Sequence, residues 1–169
     1  MKQDSNAAIE VLNDLIETCM DGVSGFRTAV SAVKSVEAKQ LFNSRIKLIE
    51  SAENELRAEV RNLGGEPAKT GSVAAKIHRG WMDIKEAVTG KDEAAITTEC
   101  ERGELVAVKN YEEALKKDLP SNVRTMVERQ HKGTVQNLER VRALGKTVGA
   151  KDPVVAPHPN VERQRARRS

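Results

Sequence analysis

Apolar residues recur at spacings of three and four along most of this chain. Ile9, Leu12, Ile16, Cys19, Val23, Phe26, Val30 and Val33 form one such stripe, the signature of an amphipathic helix of about seven turns. Asp4 or Ser5 is placed to cap its start, and Glu10, Asp14, Glu17 and Asp21 fall on the face opposite the stripe. A second stripe runs through Phe42, Ile46, Ile49, Ala52, Leu56, Val60 and Leu63, and stops at Gly64-Gly65 with Pro67 beyond. A shorter helix is predicted over Ser72–Val88, turning Val73, Ile77, Trp81, Ile84 and Val88 inward. The third long helix carries Ile96, Cys100, Ala107, Tyr111 and Ala114. After the turn DLPSN, where Leu119 precedes a proline and so disfavours helix, the fourth carries Val123, Val127, His131, Thr134, Leu138 and Val141.

The link between the second and third long helices is some 26 residues, against the two to eight usual in bundles. A link of that length can run the whole bundle and set helix three parallel to helix two. The expected fold class is therefore all-α: a ferritin-like four-helix bundle with an additional crossover helix between helices two and three. Beyond Leu144 come Gly145, Gly149, Pro153, Pro157 and Pro159 with no periodicity. Residues 1–145 read as the bundle and 146–169 as a flexible, disordered tail.

Composition sharpens this picture in three ways. Phe26, Phe42, Trp81 and Tyr111 are the only aromatics of 169 residues, so the core must be aliphatic, which suits helix packing. Cys19 and Cys100 make no disulfide framework, and no signal peptide or membrane span is visible, which together read as a cytoplasmic chain. The tail carries six basic side chains against Asp152 and Glu162, so it alone makes the protein basic, at +3 overall. Its ending, NVERQRARRS, could neutralise phosphates. The body lacks the basic stripe and stacking aromatics of a nucleic-acid binder, so a solvated tail is favoured.

The segment ERQH, Glu128 to His131, raises a metal hypothesis, because ferritin-like di-metal sites use Glu-x-x-His from facing helices. At 100° per residue Glu128 falls near the edge of its helix face, and the acids of helix one point away from the axis. Helix two offers Glu50 and Glu53 with no histidine, so an intact di-iron or di-manganese site is not expected. A lesser set, Cys19, Glu53, Glu104 and His131, shares the mid-bundle depth and forms the metal candidate, with zinc as its natural ion. The plainer reading is a buried thiol and a Glu–His hydrogen bond. Arg45 lies near the core stripe and is expected to pair with Glu99 or Glu101. Gly22, Gly25 and Gly103 mark close helix approaches, and His78 with Trp81 would pin the crossover helix. No catalytic triad, phosphate loop or nucleotide fingerprint is present.

The strings LNDLIETCMDG, GFRTA, EVRNLGGEP, GSVAAKIHRGWMDIK, ECERGE and VERQH…RVRAL resemble a bacterial family known as domain of unknown function 2383, over roughly residues 7 to 145. That resemblance implies a ferritin-like bundle and a bacterial source, and carries no catalytic role. The reading is a non-enzymatic protein of binding or assembly, linked by analogy to stress, with no cofactor and with homo-oligomers as the expected partners. The alternative is an iron- or zinc-dependent ferritin-like oxidase or storage protein.

Overall fold

The structure, a computed structural model, describes residues 2–69, 92–150 and 153. Among them are four helices: α1 (Lys2–Ala32), α2 (Val36–Asn62), α3 (Glu93–Leu115) and α4 (Ser121–Val148). No strand occurs among the described residues. The expected helix over residues 72–88, with His78 and Trp81, lies outside them, as does the tail apart from its first residues and Pro153. α4 runs to Val148 and ends on Gly149 in the left-handed conformation (φ 72°), so the helix extends past the boundary expected at residue 145.

Local chemistry sets the ends. Ser35 caps α2, its hydroxyl oxygen accepting from the Ala38 N–H at 3.2 Å. Gly64 closes α2 with φ 81°, as the Gly-Gly signal predicts. Asp92 caps α3 through the Ala94 N–H at 3.0 Å. α1 starts earlier than expected, at Lys2, so Asp4 and Ser5 lie inside the helix rather than capping it.

Three tertiary ties fix the topology. At one end the Glu93 carboxylate accepts the Ser35 hydroxyl and the Ser35 and Lys34 backbone N–H groups, pinning the start of α3 to the α1–α2 turn. At the other end Asn13 accepts from the Ala68 N–H at 2.8 Å and donates to Glu66 C=O at 3.1 Å. Asn13 and Ala32 are separated by roughly 28 Å of helix at 1.5 Å per residue, so α2 finishes at the end opposite the one where α3 begins. Asn122, near the start of α4, donates to Glu59 near the finish of α2. Hence α3 runs parallel to α2, and α1 and α4 run antiparallel to both. α1 packs on α2 and α3, and α4 on α3 and α2, which leaves α2 and α3 facing each other across a diagonal.

The core is aliphatic, with Leu12, Leu15, Ile16, Leu56, Val60, Ile96, Val123, Val127 and Val141 buried. Phe26 and Phe42 meet at 5.5 Å between ring centroids, tilted by 54°. Phe42, Leu56 and Leu138 are buried as the stripes predict, whereas Val30 and Ala107 are only half-buried. Gly22 does mark a close approach, since a Cβ there would sit 3.1 Å from Ile49 Cδ1.

Candidate functional site

At mid-bundle the four helices line a partly open cavity of about 200 Å³. Its wall combines apolar side chains (Phe26, Leu48, Ile49, Val106) with an unusual number of polar ones, among them Asp21, Arg45, Glu104, Tyr111 and Gln130.

The centre of this wall is an ion pair. Arg45 on α2 donates from Nε to Glu104 Oε1 at 2.6 Å and from Nη2 to Oε2 at 2.9 Å, a bidentate clasp across the diagonal. Asn137 on α4 donates to the same Oε1 at 2.9 Å. Burial raises the Glu104 carboxyl pKa, against the opposing pull of Arg45 and Asn137. The sequence placed Arg45 near the core but expected Glu99 or Glu101 as its partner. Those two instead hold Arg102 and Arg142 at 2.8 and 2.7 Å. Glu104 wins because it is the acid of α3 that faces the axis, at 1% exposure.

A second network runs beside the first. Gln130 Nε2 donates to Ala52 C=O at 3.3 Å and to Glu55 Oε2 at 2.8 Å, so its carbonyl oxygen must accept the Tyr111 hydroxyl, 2.9 Å away. With its only proton spent, Tyr111 can only accept from Cys19 Sγ at 3.8 Å. The chain of donors therefore runs from Cys19 to Tyr111 to Gln130 to Glu55, and it requires a protonated thiol. Burial pushes the Cys19 pKa up to about 12, and burial likewise raises Tyr111 and Cys100.

The four metal candidates take separate partners. Cys19 is held as a thiol by Tyr111, and Glu104 is saturated by Arg45 and Asn137. Glu53 pairs with Arg57 one turn along α2 at 2.7 Å. His131 is half-buried, with Nε2 lying 3.8 Å from Glu112 Oε1, too far for a hydrogen bond. No three His, Cys, Asp or Glu side chains gather closely enough to hold a metal among the described residues. Glu128 is exposed.

Two features of the site escape helical periodicity. The stripe of α4 turns Gln130 and Asn137 inward, one position before His131 and Leu138, because both amides find buried carboxylates or hydroxyls to satisfy. Asp21 was expected with Glu10, Asp14 and Glu17 on the solvent face. Only Glu10 and Asp14 are exposed, whereas Glu17 and Asp21 are half-buried. Asp21 lines the cavity, its Oδ1 buried without a hydrogen-bond partner. Desolvation, aided by Glu17, raises its carboxyl from the usual 3.8 to about 7.

Comparison with known proteins bears on the fold and the family. No curated protein sequence matches the chain. Among solved structures, a two-domain protein from Anabaena variabilis with DJ-1/ThiJ/PfpI-like and ferritin-like domains superposes with a TM-score of 0.70 at 18% identity. The match covers 90% of this chain and 42% of that one. At that identity the likeness speaks for a ferritin-like fold alone. The family model described as Domain of unknown function (DUF2383) matches residues 7–117, most of the bundle, and the chain therefore belongs to that family.

Proposed function

We propose that this protein is a non-enzymatic binding bundle, whose mid-bundle cavity takes a small ligand where related folds hold metal. The observation that carries this reading is the Arg45–Glu104 clasp across the diagonal. In ferritin-like metal proteins, carboxylates converge on the axis and their charge is balanced by cations they coordinate. Here the balancing cation is a guanidinium, covalently part of the chain, and the axial carboxylate has both oxygens engaged. The cavity beside it has the mixed apolar and polar lining usual for small-molecule sites.

A metal-dependent oxidase or storage protein, with iron or zinc, is the competing reading. Two measurements separate them. Protein purified without chelator should contain only substoichiometric metal. Neutral hexanol should shift the amide resonances of residues around the cavity, and Ala107→Phe, which adds bulk to its wall, should abolish those shifts. Stoichiometric iron or zinc, lost on Glu104→Gln, would overturn the proposal. A lone expectation of assembly into homo-oligomers follows from neither measurement and is read by light scattering. Among the described residues no helix is long and apolar enough to cross a membrane.

A further inference from the structure

Charge accounting around the cavity narrows the ligand. Three arginines line the wall, and each is paired: Arg45 with Glu104, Arg129 with Glu55, and Arg102 with Glu99. Of the acids that line it, Glu55 and Glu104 are those same partners. That leaves Asp21, whose Oδ1 is buried with no hydrogen bond. Two polar side chains of the same wall are taken up elsewhere, because Asn110 Nδ2 donates to Thr18 Oγ1 at 2.9 Å and the Thr18 hydroxyl donates to Asp14 C=O at 3.0 Å. Asp21 is half-buried, and a carboxylate oxygen shielded from water without a partner favours a cation or a donor beside it.

A divalent metal answers that demand poorly, since it needs several oxygen ligands and among the described residues Asp21 belongs to no cluster of three acids, histidines or cysteines. An ammonium group answers it with one strong charged hydrogen bond, its remaining N–H groups left for hydroxyls and water. Apolar surface for the body of such a ligand comes from Phe26, Leu48, Ile49 and Val106. A volume of about 200 Å³ exceeds the roughly 150 Å³ at which an apolar cavity already accepts benzene. Resting on the binding reading above, we propose that the cavity binds a primary ammonium ion with a compact apolar body of about six to eight carbons, seated with its charged end on Asp21.

Titration calorimetry at about pH 8 with hexylammonium, hexanol and hexanoate tests this on the full chain. Hexylammonium should bind saturably, hexanol at least about tenfold more weakly, and hexanoate not at all. Asp21→Asn, which keeps the shape and removes the charge, should weaken hexylammonium about tenfold and so erase most of its advantage over hexanol, a comparison that its own melting curve certifies as made on folded protein. Equal binding of hexylammonium and hexanol, or an unchanged Kd in Asp21→Asn, would overturn the ammonium assignment while leaving the binding reading intact. Absence of binding by all three probes would overturn both.

Discussion

Arg45 and Glu104 are joined across a diagonal of the bundle, between two helices with little other packing on each other. α2 and α3 stand on a diagonal, and the clasp of 2.6 and 2.9 Å crosses between them at mid-height. Thr134 adds a weak contact to Arg45 Nη2 at 3.4 Å, and Asn137 steadies Glu104, so residues of three helices meet on one carboxylate. This is a structural tie with a high penalty for being half-made.

Arg45→Met should therefore destabilise the fold by about 3–5 kcal/mol, because it strands a buried carboxylate. Adding Glu104→Leu should recover most of that loss, since replacing both partners of a buried pair with apolar groups is often neutral or better. Urea unfolding of the two variants checks it. A double variant as unstable as the single one would show that the two residues do not act as a unit.

Stability should also depend on Asp21 through pH. Its carboxyl titrates near 7 in the fold against 3.8 in the unfolded chain. Between those values the folded state holds a proton that the unfolded state lacks, so this group lowers stability as pH rises through the window, with the full loss above about pH 7. The charged groups around it are Glu17 on its own helix, Arg45 and Glu55 from α2, Arg102 and Glu104 from α3, and Arg129 from α4. Apart from Glu17 these carboxylates and guanidiniums are taken up by one another or by Glu99. Asp21→Asn should raise stability by roughly 2–4 kcal/mol at about pH 8 and by little at about pH 4. Melting curves at the two pH values give the answer, and a gain of the same size at both would refute it.

Most of the bundle was legible in the sequence, and the reasons are physical. Stripes of aliphatic residues fix which face of each helix is buried, and the long link after Leu63 fixes that α3 runs parallel to α2. The Gly-Gly stop is local chemistry that needs no tertiary partner. What periodicity could not supply was the pairing of polar groups inside. Helical counting offered Arg45 two partners, Glu99 and Glu101, and only the rotation of α3 selects Glu104 instead. Gln130 and Asn137 turn inward beside the stripe, and Gln130 takes the place expected for His131, because their amides close hydrogen-bond chains begun on other helices. Asp21 was misread because 100° counting assumes that every acid opposite a stripe meets water, whereas a cavity between α1 and its neighbours reaches round to it.

The two thiols should be unreactive in the native state. Both are buried, and burial raises both pKa values, Cys19 to about 12. Iodoacetamide should label them only as fast as the bundle opens. Tyr111→Phe would cut the donor chain at its centre, leaving the Gln130 carbonyl oxygen and the Cys19 S–H unsatisfied. A loss of about 1–3 kcal/mol is expected, with faster labelling of Cys19 than of Cys100. Equal acceleration at both sites would mean that the tyrosine acts through global stability alone.

Three glycines should answer the same substitution differently, and the contrast isolates what each is for. Gly22 lies inside α1, where alanine gains up to about 1 kcal/mol of helix propensity. Its added Cβ would meet only Ile49, tightly at Cδ1 (3.1 Å), the movable end of a flexible side chain, and at ordinary contact distance at Cγ2 (3.8 Å). Gly22→Ala should be neutral or slightly stabilising. Gly65 has no such room, because a Cβ there would fall 2.8, 2.9 and 3.0 Å from three atoms of Ile9. Those atoms include the branch next to the Ile9 backbone, so the α2 terminus must shift off α1, and overpacking of this kind is expected to destabilise by about 1–3 kcal/mol. Gly64 meets nothing within 4 Å, yet its φ of 81° disfavours any side chain. Gly64→Ala should be destabilising by about 1 kcal/mol through backbone strain alone. Gly65→Ala relieved by Ile9→Val, with Gly64→Ala unaffected by that second change, would confirm that one glycine serves packing and the other conformation. Relief of both by Ile9→Val would show a shared steric cause instead.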